Sequence, residues 1–173
     1  PCYGLAESTL AVTFSKIGTG CKSIQIDSKA LIDKRMAVRL QADGRKQNEF
    51  VNCGRPLPGH IVKIIDEDGQ QLSEMMVGSV LVQGESVMMG YYNNIEETSK
   101  ALKPGNWLDT GDIGFLFEGD FYITGRRTDV IIVNGRNIRA QDIEELAEQQ
   151  PEVRSREASA FGVNDEDGTT TIV

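Results

Sequence analysis

The chain has 173 residues, 39% hydrophobic and 25% charged, an ordinary globular composition with room for one domain, or one and part of another. With 26 acidic residues against 18 basic ones the formal net charge is −8, which excludes a role built on broad attraction to nucleic acid or an anionic membrane surface. A single histidine, His60, and three cysteines without a CxxC pair leave no zinc site to build, and no run reaches the roughly 18 apolar residues of a membrane span.

In chain order, 9–15 (TLAVTFS) reads as a strand or strand end, a Gly-Thr-Gly turn follows at 18–20, and 22–27 (KSIQID) alternates as a strand does. Asp27 or Ser28 can cap a short helix over KALIDKR, and 41–49 is a polar loop or hairpin tip. VNCGRPLPG at 51–59 is an ordered, non-helical turn. Strands are predicted at 60–66, 79–84 and 86–92, then a short helix over Ile95–Leu102 ended by Pro104-Gly105. DIGFLF (112–117) and FYIT (121–124), joined by Glu118-Gly119-Asp120, make a hairpin. To about residue 124 the chain is β-rich, as a small barrel or sandwich is.

Beyond it the texture changes. DVIIVNG is an apolar strand into a turn, QDIEELAEQQ is a helix with Ile143, Leu146 and Ala147 on one face, and 156–163 and 169–173 read as strands. The β-β-α-β order opens a compact α+β unit. The fold class expected is therefore α+β: a β-rich, barrel-like subdomain followed by the start of a small α+β domain. The chain opens on Pro1 and stops inside the strand-like TTTIV, so an internal fragment is expected. Isolated thiols are commonest in reducing compartments, which points to a cytoplasmic location.

Four clusters combine chemistry-bearing residues: YGLAEST (3–9), TGD (110–112), GRRTD (125–129) and GRN (135–137). Each has an ordinary structural explanation. Tyr3 suits a packed aromatic, Glu7 a solvated acid and Asp112 a turn residue, and Arg126 can pair with Asp120 or Asp129 at the surface. His60, the cysteines and Met88-Met89 read as structural residues. Taken jointly, an aromatic face suits a nucleobase and a carboxylate beside glycine suits Mg²⁺. An aspartate suits a sugar diol and an arginine suits ribose or phosphate oxygens. These are the parts of a nucleoside-phosphate site in a chain with no G-x-x-x-x-G-K-[ST] loop.

The order YGLAEST, WLDTGD, GRRTDVIIVNGRNIRAQDIE resembles the adenylate-forming superfamily of acyl-CoA synthetases, adenylation domains and luciferases. YGLAES, CGRPLPG and GRN-x-x-x-QDIE resemble its fatty acyl-AMP ligase branch most. The resemblance implies that residues 1–126 are the β-barrel-like end of the large N-terminal domain, with the branch's insertion around 10–50. Residues 127–173 would be the hinge and the first part of the mobile C-terminal lid. Tyr3 would stack on adenine, Gly4 and Leu5 would lend backbone beside the nucleotide, and Glu7 would hold Mg²⁺. Asp112 would accept the ribose hydroxyls, Ile123 would lie against base or sugar, and Arg126 would reach ribose or α-phosphate. Thr128 would be the hinge, and Gly135, Arg136 and Asn137 would belong to the lid.

The resemblance further implies a reaction in a longer protein: ATP and Mg²⁺ convert a fatty acid to acyl-AMP, and the acyl group passes to the phosphopantetheine thiol of an acyl carrier protein. Ala6 departs from the threonine common in the superfamily. No catalytic set is complete within the chain, because the glycine-rich phosphate loop would lie upstream and the catalytic lysine downstream. The chain by itself is expected to be inactive. An acyl-CoA synthetase, with CoA as acceptor, is the alternative. A non-catalytic nucleotide- or partner-binding module is a second.

Overall fold

A computed structural model describes residues 1–40, 47–133, 136–150, 153–154, 157–164 and 170–173. They form two compact units, Pro1–Thr124 and Gly125–Val173. Among the described residues, no helix is long and apolar enough to cross a membrane.

In the first unit, β1 (Cys2–Tyr3), β2 (Thr13–Phe14) and β5 (Arg55–Pro56) form a small antiparallel sheet, while β3 (Ser23–Asp27) pairs with β4 (Gln47–Val51). The larger sheet runs β10 (Asp120–Arg126), β9 (Trp107–Phe117), β7 (Gly78–Gln83), β6 (Ile61–Ile65), with β8 (Leu102–Lys103) also on β9. Between β3 and β4 lies α1 (Ser28–Lys34), and α2 (Ile95–Ala101) precedes β8. Asp27 caps α1 as expected, its carboxylate accepting from Ala30 N at 2.8 Å. β3 shows the alternation read from its sequence, with Ile24 and Ile26 buried.

The larger sheet is a middle layer. On one face Val62, Ile64, Val80, Val82, Leu108 and Phe121 pack with Tyr3 of the small sheet and with Val12 and Cys53, which lie just before β2 and β5. A second core joins Phe115 and Tyr122 to Ile24, Ile26, Leu31 and Phe50 of the β3–α1–β4 segment. Phe121 and Tyr122 are consecutive and enter different cores, as the pleat of a strand requires. Phe115 stacks on Tyr122 with ring centroids 5.0 Å apart.

Several boundaries differ from the sequence reading. Of 9–15 only Thr13–Phe14 is strand. Residues 47–49, read as polar loop, belong to β4 because β3 supplies their hydrogen bonds. Residues 86–92 are irregular, since their polar groups turn to the segment at 7–9. The helix at 95 ends at Ala101, and the strand read from 112 begins at Trp107.

In the second unit the order is β-β-α-β-β, one strand more than the expected β-β-α-β: β11 (Val130–Val133) pairs with β12 (Arg136–Arg139), α3 (Ala140–Ala147) follows, and β13 (Gly162–Asn164) pairs with β14 (Thr170–Ile172). Ile143 and Ala147 are half-buried, but Leu146, read on the same face, stays 51% exposed. The strand read over 156–163 begins only at Gly162, although Phe161 exchanges two backbone bonds with Val173. The start of that range, 156, lies outside the described residues.

Candidate functional site

The pairing of β7 with β9 breaks register: Ser79 lies opposite Ile113 and Leu81 opposite Asp109, so Val80 alone faces Thr110, Gly111 and Asp112. The surplus residues form a bulge in mid-strand, where the sequence suggested a turn residue at Asp112 and the start of a strand. Thr110 Oγ1 donates to the Val80 carbonyl at 3.0 Å and accepts from Asp112 N at 3.1 Å. Gly111 takes φ +75°, a left-handed conformation that costs a residue without a side chain little. Bulges re-aim side chains. This one brings Asp112, 3% exposed, to the Tyr3 hydroxyl, which donates to Asp112 Oδ2 at 2.6 Å. That length is typical of an O–H donated to a carboxylate, among the stronger hydrogen bonds in proteins. The Tyr3 ring is buried and tilted against Phe121 at 4.8 Å.

Glu7 lies in a single 3-10 turn, Ala6–Ser8, directly after β1. It is half-buried, and its Oε1 accepts from the Tyr91 hydroxyl at 2.8 Å. That bond, first among the causes, pushes the Tyr91 phenol up. Glu7's other carboxylate oxygen takes no partner among the described residues. No cluster of three or more His, Cys, Asp or Glu side chains able to hold a metal occurs among them. A lone carboxylate with one open oxygen fits Mg²⁺, which commonly takes one or two protein carboxylates and completes its shell with waters and phosphates.

The remaining residues singled out by sequence are distributed as follows. Gly4 leaves β1 against the Leu10 backbone, where a Cβ would fall 1.7 Å from the Leu10 carbonyl oxygen. Leu5 and Ile123 are half-buried against the core that contains Tyr3. Arg126 is exposed at the end of β10. Asp120, weighed as its surface partner, accepts from Arg55 Nε at 3.2 Å and from Asn52 Nδ2 at 2.7 Å. Thr128 sits in a 3-10 turn over Arg127–Asp129 and donates to Asp129 Oδ1. The backbone of Arg136 and Asn137 pairs with Val133 and Ile132; Gly135 lies outside the described residues. Sequence reasoning missed Tyr91 and Ser86, and took His60 as structural. Tyr91 and Glu7 are 84 positions apart, and no local pattern signals such a pair.

The chain belongs to the AMP-binding enzyme family, whose signature matches residues 1–92. It is 40% identical over 172 residues to a Caulobacter vibrioides protein provisionally named an acyl-CoA synthetase, covering 99% of this chain and 30% of that protein. It is 37% identical over 173 residues to the medium-chain-fatty-acid--[acyl-carrier-protein] ligase JamA of Moorena producens, covering 94% of this chain and 29% of the ligase. A solved structure from structural and functional studies of fatty acyl-adenylate ligases of E. coli and L. pneumophila aligns with a TM-score of 0.86 at 40% identity, over 99% of this chain and 30% of that one. The chain thus spans about 30% of the length of the relatives it matches.

Proposed function

We propose that the protein carrying this chain is an ATP-dependent fatty acyl-AMP ligase. The fatty-acid carboxylate attacks the α-phosphorus of ATP, a P–O bond forms, and pyrophosphate leaves. A phosphopantetheine thiol of an acyl carrier protein then attacks the acyl carbon, the thioester forms and AMP leaves. The observation that carries the reading is the bulge of β9, which sets Asp112 beside Tyr3 of β1, with Glu7 on the turn that follows β1. Asp112 accepts the ribose hydroxyls, and the base lies along Tyr3, Gly4 and Leu5 with Ile123 behind. Glu7 holds Mg²⁺, which supplies charge neutralisation where carboxylate and triphosphate oxygens are brought together. Arg126 contributes positive charge to the ribose or α-phosphate. Thr128 is the hinge residue, and Gly135, Arg136 and Asn137 belong to the lid.

The name of the Moorena relative supports a carrier-protein acceptor, and that of the Caulobacter relative keeps CoA as the second reading. Both share the first half-reaction. Mass spectrometry on the protein carrying this chain, supplied with ATP, Mg²⁺, dodecanoic acid, holo-acyl carrier protein and CoA, separates them. Acyl-AMP and acyl-carrier thioester without acyl-CoA is the expected result. Abundant acyl-CoA would make the protein a synthetase, and absence of acyl-AMP with fatty acids of every length would refute the reading.

A further inference from the structure

Three segments distant in sequence meet beneath Glu7. Ser8 follows Glu7 in the same turn, is 1% exposed, and has its Oγ 2.8 Å from Ser86 Oγ. His60 Nε2 lies 2.6 Å from that same Ser86 Oγ, and His60 Nδ1 lies 3.4 Å from the Pro58 carbonyl oxygen. A carbonyl only accepts, so the tautomer that satisfies both contacts carries its proton on Nδ1 and leaves Nε2 to accept from Ser86. Ser86 in turn accepts from Ser8. The relay therefore runs from the Ser8 hydroxyl through the Ser86 hydroxyl to His60.

The same loop is tied to the same turn elsewhere. Thr9 Oγ1 donates to the Ser86 carbonyl at 3.2 Å, and Met88 N donates to the Glu7 carbonyl at 2.7 Å. Tyr91, at the end of the loop, donates to the Glu7 carboxylate itself. Burial of Ser8 demands a hydrogen-bond partner, and Ser86 alone would satisfy it. The histidine is extra, and the chain makes room for it. A Cβ on residue 84 would fall 2.5 Å from His60 Cδ2 and 2.9 Å from Nε2, so the ring reaches Ser86 only because Gly84 has no side chain.

We propose that His60 is a positioning residue: through Ser86 and Ser8 it fixes the turn that aims the Glu7 carboxylate at the divalent cation of the bound nucleotide. The inference rests on the reading of Glu7 given under the proposed function. Removing a residue that orients a metal ligand typically weakens metal affinity by about 10- to 100-fold.

The test is a Mn²⁺ titration followed by electron paramagnetic resonance, on the protein carrying this chain saturated with a non-hydrolysable ATP analogue. His60→Ala should weaken Mn²⁺ binding about tenfold, at the lower edge of that range because the relay is indirect. His60→Gln, whose amide oxygen can accept from Ser86, should recover most of the affinity. Gly84→Ala removes no polar group and should reproduce the loss by displacing the ring. In turnover, the Mg²⁺ requirement should rise with the KM for fatty acid unmoved.

If Glu7→Gln weakens Mn²⁺ binding but His60→Ala and Gly84→Ala bind as the unaltered protein does, the proposal is overturned and the role of Glu7 stands. If Glu7→Gln itself binds Mn²⁺ unchanged, the role of Glu7 falls and this inference with it. Equal losses in His60→Ala and His60→Gln also overturn it, since ring packing would then be responsible. Should His60→Ala fail to fold, the Gln and Gly84 variants decide.

Discussion

The bond between Tyr3 and Asp112 gives two candidate nucleotide-binding residues a structural duty as well, and a double-mutant cycle separates the two roles. Tyr3→Phe deletes one hydroxyl and keeps the ring on Phe121. A hydrogen bond to a carboxylate contributes about 1.5–3 kcal/mol, and the 2.6 Å contact between residues at 7% and 3% exposure belongs inside that range. The midpoint of thermal unfolding should therefore fall by about 4–8 °C for a loss near 2 kcal/mol. Asp112→Ala removes the same bond, strands the Tyr3 hydroxyl from this acceptor and empties a buried volume, so it should cost at least as much. The double variant should lose less than the sum of the singles by about 2 kcal/mol. Urea unfolding followed through Trp107, the chain's single tryptophan, reads the cycle. Nucleotide affinity reads the other role: Tyr3→Phe should keep most of it and Asp112→Ala should not. Additive singles, within about 0.5 kcal/mol, would refute the coupling.

Three further outcomes are expected. A thiol reagent should modify the exposed Cys2 and Cys21 at once and Cys53 only on unfolding, because burial both shields that thiol and pushes its ionisation up; three equally fast thiols would contradict the packing around β5. Burial also pushes the Tyr122 phenol above its ordinary 10.0, so the stability carried by its neutral form is complete below that pH and drains away as pH rises through the folded-state value. Tyr122→Phe should flatten this alkaline loss in a series of unfolding curves across that window. Asp27→Ala should cost about 1 kcal/mol through loss of the cap on α1 and leave nucleotide binding unchanged, which calorimetry checks.

Much of the first unit was legible where the controlling interactions are local. Asp27 caps the helix that follows it, and the alternation of β3 names its buried face. Glu118-Gly119-Asp120 turns the hairpin between β9 and β10. What was not legible depends on partners far along the chain. The bulge at Thr110–Asp112 exists because of how β9 pairs with β7, and its geometry is fixed by the carbonyl of Val80. The apolar run SVMMGYY has a strand's composition, yet Ser86, Met88 and Tyr91 bond to residues 7–9, Ser86 also meets His60 and the Tyr91 backbone meets Asn94 and Thr98, and no ladder forms. The polar residues 47–49 carry a loop's composition and become strand through β3. Asp112 and Tyr3 stood out separately from their neighbours; that each would be the other's hydrogen-bond partner, 109 positions apart, is a tertiary fact.

Because Phe121 and Tyr122 enter separate cores from adjacent positions, the larger sheet works as a party wall between two rooms. One room holds Tyr3 and, at its edge, the Asp112 carboxylate; the other is furnished by the β3–α1–β4 segment. Substitutions that refurnish the second room need not disturb the first, so that segment has scope to diverge in sequence while the nucleotide side keeps its shape. The hairpin is the exception. A change in the seating of Phe121 is transmitted through a single peptide unit to Tyr122, which makes this dipeptide the place where drift on one side would be felt on the other.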